Sequence, residues 1–212
     1  MKFTQIFWDN DGVLVDTERY YLQANREALA KLDITLSDEL FVEISLTRGK
    51  SLFDLATARG HADNTIEELK EWRNNRYAQL LDLEDMTLPG VRETLNALHG
   101  KLKMAIVTSS AKNHFEIIHK RTGLLTFFDF CLTRGDYTNS KPSAEPYLLA
   151  LSRSGQEPHR SLVIEDSPRG LDAAKAAGLT CWVIPGQHTS EHEFRGADRI
   201  LSSVEELPKL LL

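Results

Sequence analysis

Ile6-Phe7-Trp8-Asp9-Asn10-Asp11-Gly12-Val13-Leu14-Val15-Asp16-Thr17 is a short apolar run that passes directly into acids and a glycine. Continuous runs of aromatic and β-branched residues suit a strand covered on both faces, and the acids mark where the chain leaves the sheet. Met104 to Val107, Leu162 to Ile164 and Trp182 to Ile184 have the same character. Strands of that kind belong in a parallel sheet. Helical patterns lie between the later runs, at about Lys112 to Thr122, Ala144 to Ser154 and Pro168 to Ala177. The last is well bounded, with Ser167 placed to cap, Pro168 in the first helical position and Gly178 just past the end. This alternation predicts a doubly wound parallel α/β sheet.

One stretch breaks the alternation. Glu18 to Met86 holds helix-period segments and no convincing strand. The clearest is Ile66 to Leu81, where Ile66, Leu69, Tyr77 and Leu80 share a face. The expected organisation is an α/β core domain at 1–16 and 87–212, resumed at Leu88-Pro89-Gly90, with an inserted α-helical domain at 17–86.

The chain of 212 residues is long enough for one such domain with an insertion and too short for an array. Its 25 Lys and Arg against 31 Asp and Glu give a net charge of −6 with no basic run, which argues against nucleic acid as a partner. No apolar run approaches the length of a membrane span, and the first residues lack the pattern of a secretory signal. Cys131 and Cys181 lie among apolar neighbours and read as buried reduced thiols. The expectation is a soluble cytoplasmic protein, for which a monomer suffices.

Four motifs follow the ends of expected core strands, where open α/β sheets form their ligand crevice. Asp9 and Asp11 can converge on one site if Gly12 permits the turn; alone they would pass as turn formers. A calcium loop is excluded because Val13-Leu14-Val15 stand where oxygen ligands would have to continue. Thr108-Ser109-Ser110 offer hydroxyls for phosphate oxygens, or for capping the next helix. Lys141, in Ser140-Lys141-Pro142, can hold a phosphoryl group, although a lysine before a helix is ordinary. Glu165-Asp166 repeat the acids; four carboxylates in one place repel unless a cation such as Mg²⁺ joins them.

In this order the motifs, DxDGxLxDT, strand-Thr/Ser, Lys-Pro and Glu-Asp, resemble the haloacid dehalogenase superfamily. The similarity is to its branch with an α-helical cap after the first motif, which includes β-phosphoglucomutase-like and phosphoglycolate phosphatase-like members, and it spans about Thr4 to Leu207. It implies that Asp9 is the nucleophile and forms an aspartyl-phosphate, and that Asp11 is the general acid and base. Thr108, Ser109 and Lys141 would bind phosphate. Mg²⁺ would be held by Asp9, the Asp11 carbonyl and Asp166, with Glu165 in support. Asn10 departs from the larger apolar residue common at that position.

The presence of Asp11 favours phosphoryl transfer over dehalogenation within this resemblance. In the cap, Arg48 and Ser51 match residues that grip the unreacting phosphate in β-phosphoglucomutase-like members. Arg73 lies within the apolar stripe, placed to point into the site, or else to snorkel past the stripe or pair with a carboxylate of the insertion. Tyr21 stands where sugar phosphomutases of this branch carry a histidine, so the resemblance implies a Mg²⁺-dependent phosphatase of small organic phosphates, sugar phosphates among them. The alternatives are a β-phosphoglucomutase-like enzyme and a non-catalytic fold that binds a phosphorylated ligand. His188 and His192, four apart in a polar stretch, read as a surface loop and not a zinc site.

Overall fold

The computed structural model describes residues 2–186 and 194–212. The chain divides into two compact units, Met1–Asp16 with Asp85–Leu212 and, inserted between them, Thr17–Glu84. His188 and His192 lie outside the described residues.

In the first unit the strands are β1 (Gln5–Trp8), β2 (Lys103–Ala111), β3 (Phe130–Arg134), β4 (Ser161–Glu165), β5 (Thr180–Val183) and β6 (Arg199–Ile200). They form one sheet in the order β3-β2-β1-β4-β5-β6, and every pair is parallel. The expected α/β fold is therefore what the chain adopts. All residues of β1 and β4 are buried, as their unbroken apolar runs require. The two residues of β6 are exposed, and for that reason the sequence carried no apolar run to announce it.

The helices are α1 (Glu18–Ala30), α2 (Asp38–Phe41), α3 (Asp54–Ala58), α4 (Asp63–Leu81), α5 (Val91–Leu98), α6 (Lys112–Thr122), α7 (Glu145–Ser154), α8 (Pro168–Ala176) and α9 (Leu207–Leu211). Ser167 caps α8 by accepting from the Gly170 amide at 3.1 Å. The N-cap of α6 is Ala111 and has no side-chain bond, so Thr108, Ser109 and Ser110 do not serve as its cap. On one face of the sheet Phe7, Val107, Leu132 and Val163 pack with Tyr147, Leu151, Leu171 and Ala174 of α7 and α8. Burial of one such large side chain contributes about 1.5–3 kcal/mol. Cys181 in this core and half-buried Cys131 form no disulfide, and burial pushes the Cys131 thiol up to about 11.

Val13, Leu14 and Val15 are buried, consistent with a turn that returns to the core and not a calcium loop. The Leu14 carbonyl accepts from Leu88 N at 3.0 Å and Asp16 N donates to Met86 O at 2.9 Å, so the exit and return of the chain are stitched side by side.

In the second unit α1 and α4 carry Leu22, Ala28, Leu29 and Ile66 into a core with Ile34, Leu36, Phe41 and Phe53. Arg76 of α4 pairs with Glu27 of α1 through two bonds, at 2.6 and 3.1 Å. Leu69 is only partly buried, unlike Ile66, Tyr77 and Leu80. Among the described residues no helix is long and apolar enough to cross a membrane.

Candidate active site

β1 lies between β2 and β4, where the strand order reverses, and the crevice beyond the strand ends is the place such sheets offer a ligand. Asp9 leaves β1 there, with its amide still bonded to the Ile164 carbonyl at 2.9 Å. Its carboxylate meets Lys141, whose ammonium donates to Asp9 Oδ1 at 2.6 Å, Glu165 Oε1 at 2.6 Å and the Val107 carbonyl at 2.8 Å. Those three bonds account for the three ammonium protons. Lys141 is 5% exposed and Glu165 is fully buried.

Glu165 joins the strand end to the next helix. Its Oε1 also accepts from the Tyr147 hydroxyl at 2.7 Å, and its Oε2 accepts from Asp166 N, Ser167 N and Ser167 Oγ at 3.2, 3.4 and 3.1 Å. Two glycines make room for the acids. A Cβ on Gly170 would lie 1.9 Å from the Glu165 carboxyl carbon, and one on Gly12, at φ +82°, 1.9 Å from Asp166 Oδ2.

Asp9, Glu165 and Asp166 each present an oxygen within 4.8 Å of the others. Asp9 and Glu165 contact the Lys141 ammonium, Asp166 lies alongside them, and Asp11 is near enough to repel Asp9. Burial raises the Asp9 carboxyl to about 7, repulsion from Glu165 and Asp11 adds to the rise, and the attraction of Lys141 only partly opposes it. Burial alone would lower Lys141, but Asp9 and Glu165 outweigh it and hold the ammonium above its ordinary value. A buried all-oxygen donor set with an excess of negative charge fits a hard divalent cation such as Mg²⁺.

The second acid is cradled by hydroxyls from the end of β2. Asp11 Oδ2 accepts from Ser110 Oγ at 2.6 Å and Thr108 Oγ1 at 3.2 Å, while Thr108 Oγ1 accepts from Ser110 N at 3.0 Å. The sequence offered the Ser110 hydroxyl only for phosphate or for a helix cap, not for Asp11, and gave Tyr147 no role. Two residues apart in an extended segment, Thr108 and Ser110 point the same way, and that spacing was the available signal for Ser110. The Tyr137 hydroxyl donates to the Thr108 carbonyl at 2.6 Å. Ser109 Oγ is buried close by and makes no hydrogen bond of acceptable geometry among the described residues. A buried hydroxyl so placed is suited to a ligand oxygen.

The site gives metal-free protein a distinctive pH dependence. Between the ordinary carboxyl value of 3.8 and about 7, native Asp9 keeps a proton that the unfolded chain has released, so its contribution to stability falls as pH rises. His119, 3% exposed, is pushed by burial from 6.5 to about 4. Over that interval the unfolded chain holds the extra proton and stability rises with pH. The two slopes oppose each other between about pH 4 and 6.5 in chelator, and from there only the Asp9 decline continues, to about pH 7. His119→Gln removes the rising component, so urea unfolding of that variant should show decline throughout; a rise with pH would contradict the assignment.

Of the residues expected to serve the site, the first unit brings Asp9, Asp11, Thr108, Ser109, Lys141, Glu165 and Asp166 to these strand ends. Arg48, Ser51 and Arg73 belong to the second unit. Arg48 is exposed and pairs with Glu43 at 2.5 Å, at the end of a π-helical turn spanning Val42–Thr47. Ser51 Oγ accepts from Phe53 N at 3.2 Å. The Arg73 guanidinium donates to Asn25 Oδ1 at 2.8 Å and lies 4.9 Å from the centre of the Tyr21 ring and 5.6 Å from that of Phe53. Its Nε also donates to Asn74 Oδ1 at 3.0 Å, so both hydrogen-bond partners are amides and not the carboxylate that a simple ion pair within the helical insertion would supply.

Known proteins agree with this geometry. The chain is 30% identical over 95% of its length to Protein CbbY of Cereibacter sphaeroides, covering 93% of that protein. It is 30% identical over 82% of its length to a phosphorylated carbohydrates phosphatase of Thermotoga maritima, covering 81% of it. Among solved structures, CbbY from Rhodobacter sphaeroides in complex with phosphate superimposes with a TM-score of 0.82 at 29% identity, covering 97% of this chain and 96% of that one. The family model for haloacid dehalogenase-like hydrolases matches residues 6–184, from the first strand through the fifth, and the chain belongs to that family.

Proposed function

We propose that this protein is a Mg²⁺-dependent phosphatase of small phosphorylated metabolites, sugar phosphates among them, and that it acts through an aspartyl-phosphate on Asp9. The observation that carries the reading is the buried set Asp9–Lys141–Glu165 with Asp166 alongside and a second acid, Asp11, held separately by hydroxyls. The phosphatase and phosphate-bound relatives support it.

The Asp9 carboxylate attacks phosphorus in line with the leaving oxygen, and Asp11 as the acid gives that oxygen its proton. Asp11 as the base then takes a proton from the water that attacks the phosphoryl group, which returns Asp9 and releases phosphate. Ser109 and Thr108 bind phosphoryl oxygens. The Lys141 proton now accepted by Asp9 turns to the phosphoryl group once Asp9 is esterified. The Asp9 carboxylate, the Asp11 carbonyl and Asp166 would hold Mg²⁺, which would supply positive charge to keep Asp9 ionised and to offset the charge of the phosphoryl group. Glu165 acts behind it, by fixing Lys141.

The second unit is assigned the role of a cap that selects substrate, with Arg48 and Ser51 to grip an unreacting phosphate and Arg73 as a further substrate contact. Tyr21, packed against Tyr77 at 5.3 Å between ring centres, stands where the phosphomutases of this branch carry a histidine, and the missing imidazole favours the hydrolase reading. The unpaired cysteines suit a reducing compartment, and the protein is assigned to the cytoplasm.

The test is a panel of phosphorylated metabolites assayed for released phosphate with Mg²⁺ and with chelator; no release from any member would sink the reading. A second measurement does not depend on turnover. Mg²⁺ must displace the proton from Asp9, so the thermal shift it produces should be larger at pH 8 than at pH 5. At a concentration a hundredfold above Kd the gain is about 2.7 kcal/mol. Equal shifts at both pH values, or none, would remove Asp9 from the ligand set.

A further inference from the structure

Asn10, the departure in the first motif, is fully buried between the two acids. Its backbone carbonyl accepts from Val13, Leu14 and Val15 at 3.4, 2.8 and 3.1 Å, closing the turn. Its side-chain Oδ1 lies 2.8 Å from His119 Nε2 on α6, and His119 Nδ1 lies 2.9 Å from Thr122 Oγ1. An amide oxygen only accepts, so Nε2 carries the ring proton, and Thr122, which accepts from Leu124 N at 3.3 Å, donates to Nδ1. That leaves the amide Nδ2 of Asn10 directed at Asp11 Oδ2, at 3.4 Å. The reverse amide would set an oxygen against the Asp11 carboxylate and an N–H against the proton on Nε2. Asp11 therefore selects the amide orientation, and His119, in the tautomer with the proton on Nε2, holds the amide there.

We propose that His119 is a positioning residue for Asp11, acting through the Asn10 amide to hold the acid/base carboxyl in the orientation that also receives Ser110 and Thr108. The inference rests on the hydrolase reading of the site. The apolar residue common between the two acids in this family cannot make such a link, so here a helix and the catalytic turn are tied by a path that motif matching does not see. The ring is kept neutral by burial, as the Nδ1 acceptor role requires.

The experiment compares p-nitrophenyl phosphate with phenyl phosphate. They share a ring, but phenol is the poorer leaving group and depends more on a correctly placed acid. His119→Phe keeps the ring volume and removes both nitrogens. It is expected to lower kcat/KM about tenfold for phenyl phosphate and less than about twofold for p-nitrophenyl phosphate, the loss expected of a displaced general acid. His119→Gln, able to donate to Asn10, should recover most of the difference. If His119→Phe does not fold, the pair Asn10→Leu with His119→Phe, which orphans neither partner, should show the same selective loss. Equal losses on both esters, or no rescue by Gln, would overturn the inference while leaving the hydrolase reading in place. A wild type inert toward both esters and toward every member of the metabolite panel would overturn the hydrolase reading and this inference with it.

Discussion

Asp9→Asn should fold normally and release phosphate about 10³-fold more slowly, or worse, since an amide oxygen is a poor nucleophile and nothing beside it can form the ester. The substitution is nearly isosteric, and its oxygen can still accept from Lys141, so the loss belongs to chemistry and not to packing. Stability should move the other way. Above about pH 7 native Asp9 is ionised while buried, with its charge opposed by two neighbouring carboxylates. In chelator at pH 8, Asp9→Asn is therefore expected to unfold at higher urea than wild type, and its stability should lose the decline assigned above to Asp9. Mg²⁺ should stabilise the variant less than it stabilises wild type. Activity within tenfold of wild type would place the nucleophile elsewhere.

A site that is costly when idle explains why its parts were legible in the sequence to different degrees. Asp9, Asp11, Glu165 and Asp166 stand at or just past the ends of β1 and β4, which are buried throughout, and such strands write themselves as unbroken apolar runs, whereas Lys141 lies between the half-buried β3 and α7 and showed only through its Lys-Pro motif. Once the runs are aligned in parallel, the topology alone sends those residues to one crevice. The exposed β6 and the short helices α2 and α3 have no comparable pattern. Partners that come from afar are hidden for a different reason. His119 is 109 positions from Asn10 and Tyr147 is 18 from Glu165, and no spacing rule joins such pairs. Arg73 shows the intermediate case: helical period placed it correctly in the apolar stripe of α4, but its amide and aromatic partners outside α4 come from α1 and from Phe53. A stripe can show that a cation is awkwardly placed without showing what relieves it.

Lys141→Met is the substitution expected to cost most in stability. Methionine follows much of the lysine stem, so the apolar part of the packing survives. What disappears is the ammonium between Asp9 and Glu165, together with the donor to the Val107 carbonyl. Two carboxylates then face each other in a site where the lysine side chain is 6% exposed, and removing one partner of a buried charge cluster costs about 3–5 kcal/mol. The sign of the pH dependence separates charge from packing. Without the ammonium that partly opposes the rise at Asp9, native Asp9 holds its proton still more tightly than in the unfolded chain, so the variant loses stability as pH rises above the ordinary carboxyl range and regains it as pH falls. Urea unfolding in chelator should therefore show a larger deficit against wild type at pH 8 than at pH 5, whereas a deficit that does not change with pH would reduce Lys141 to a packing residue. Lys141→Arg should not restore the site, because a planar guanidinium cannot send three protons to Asp9, Glu165 and a main-chain carbonyl from the position of one nitrogen.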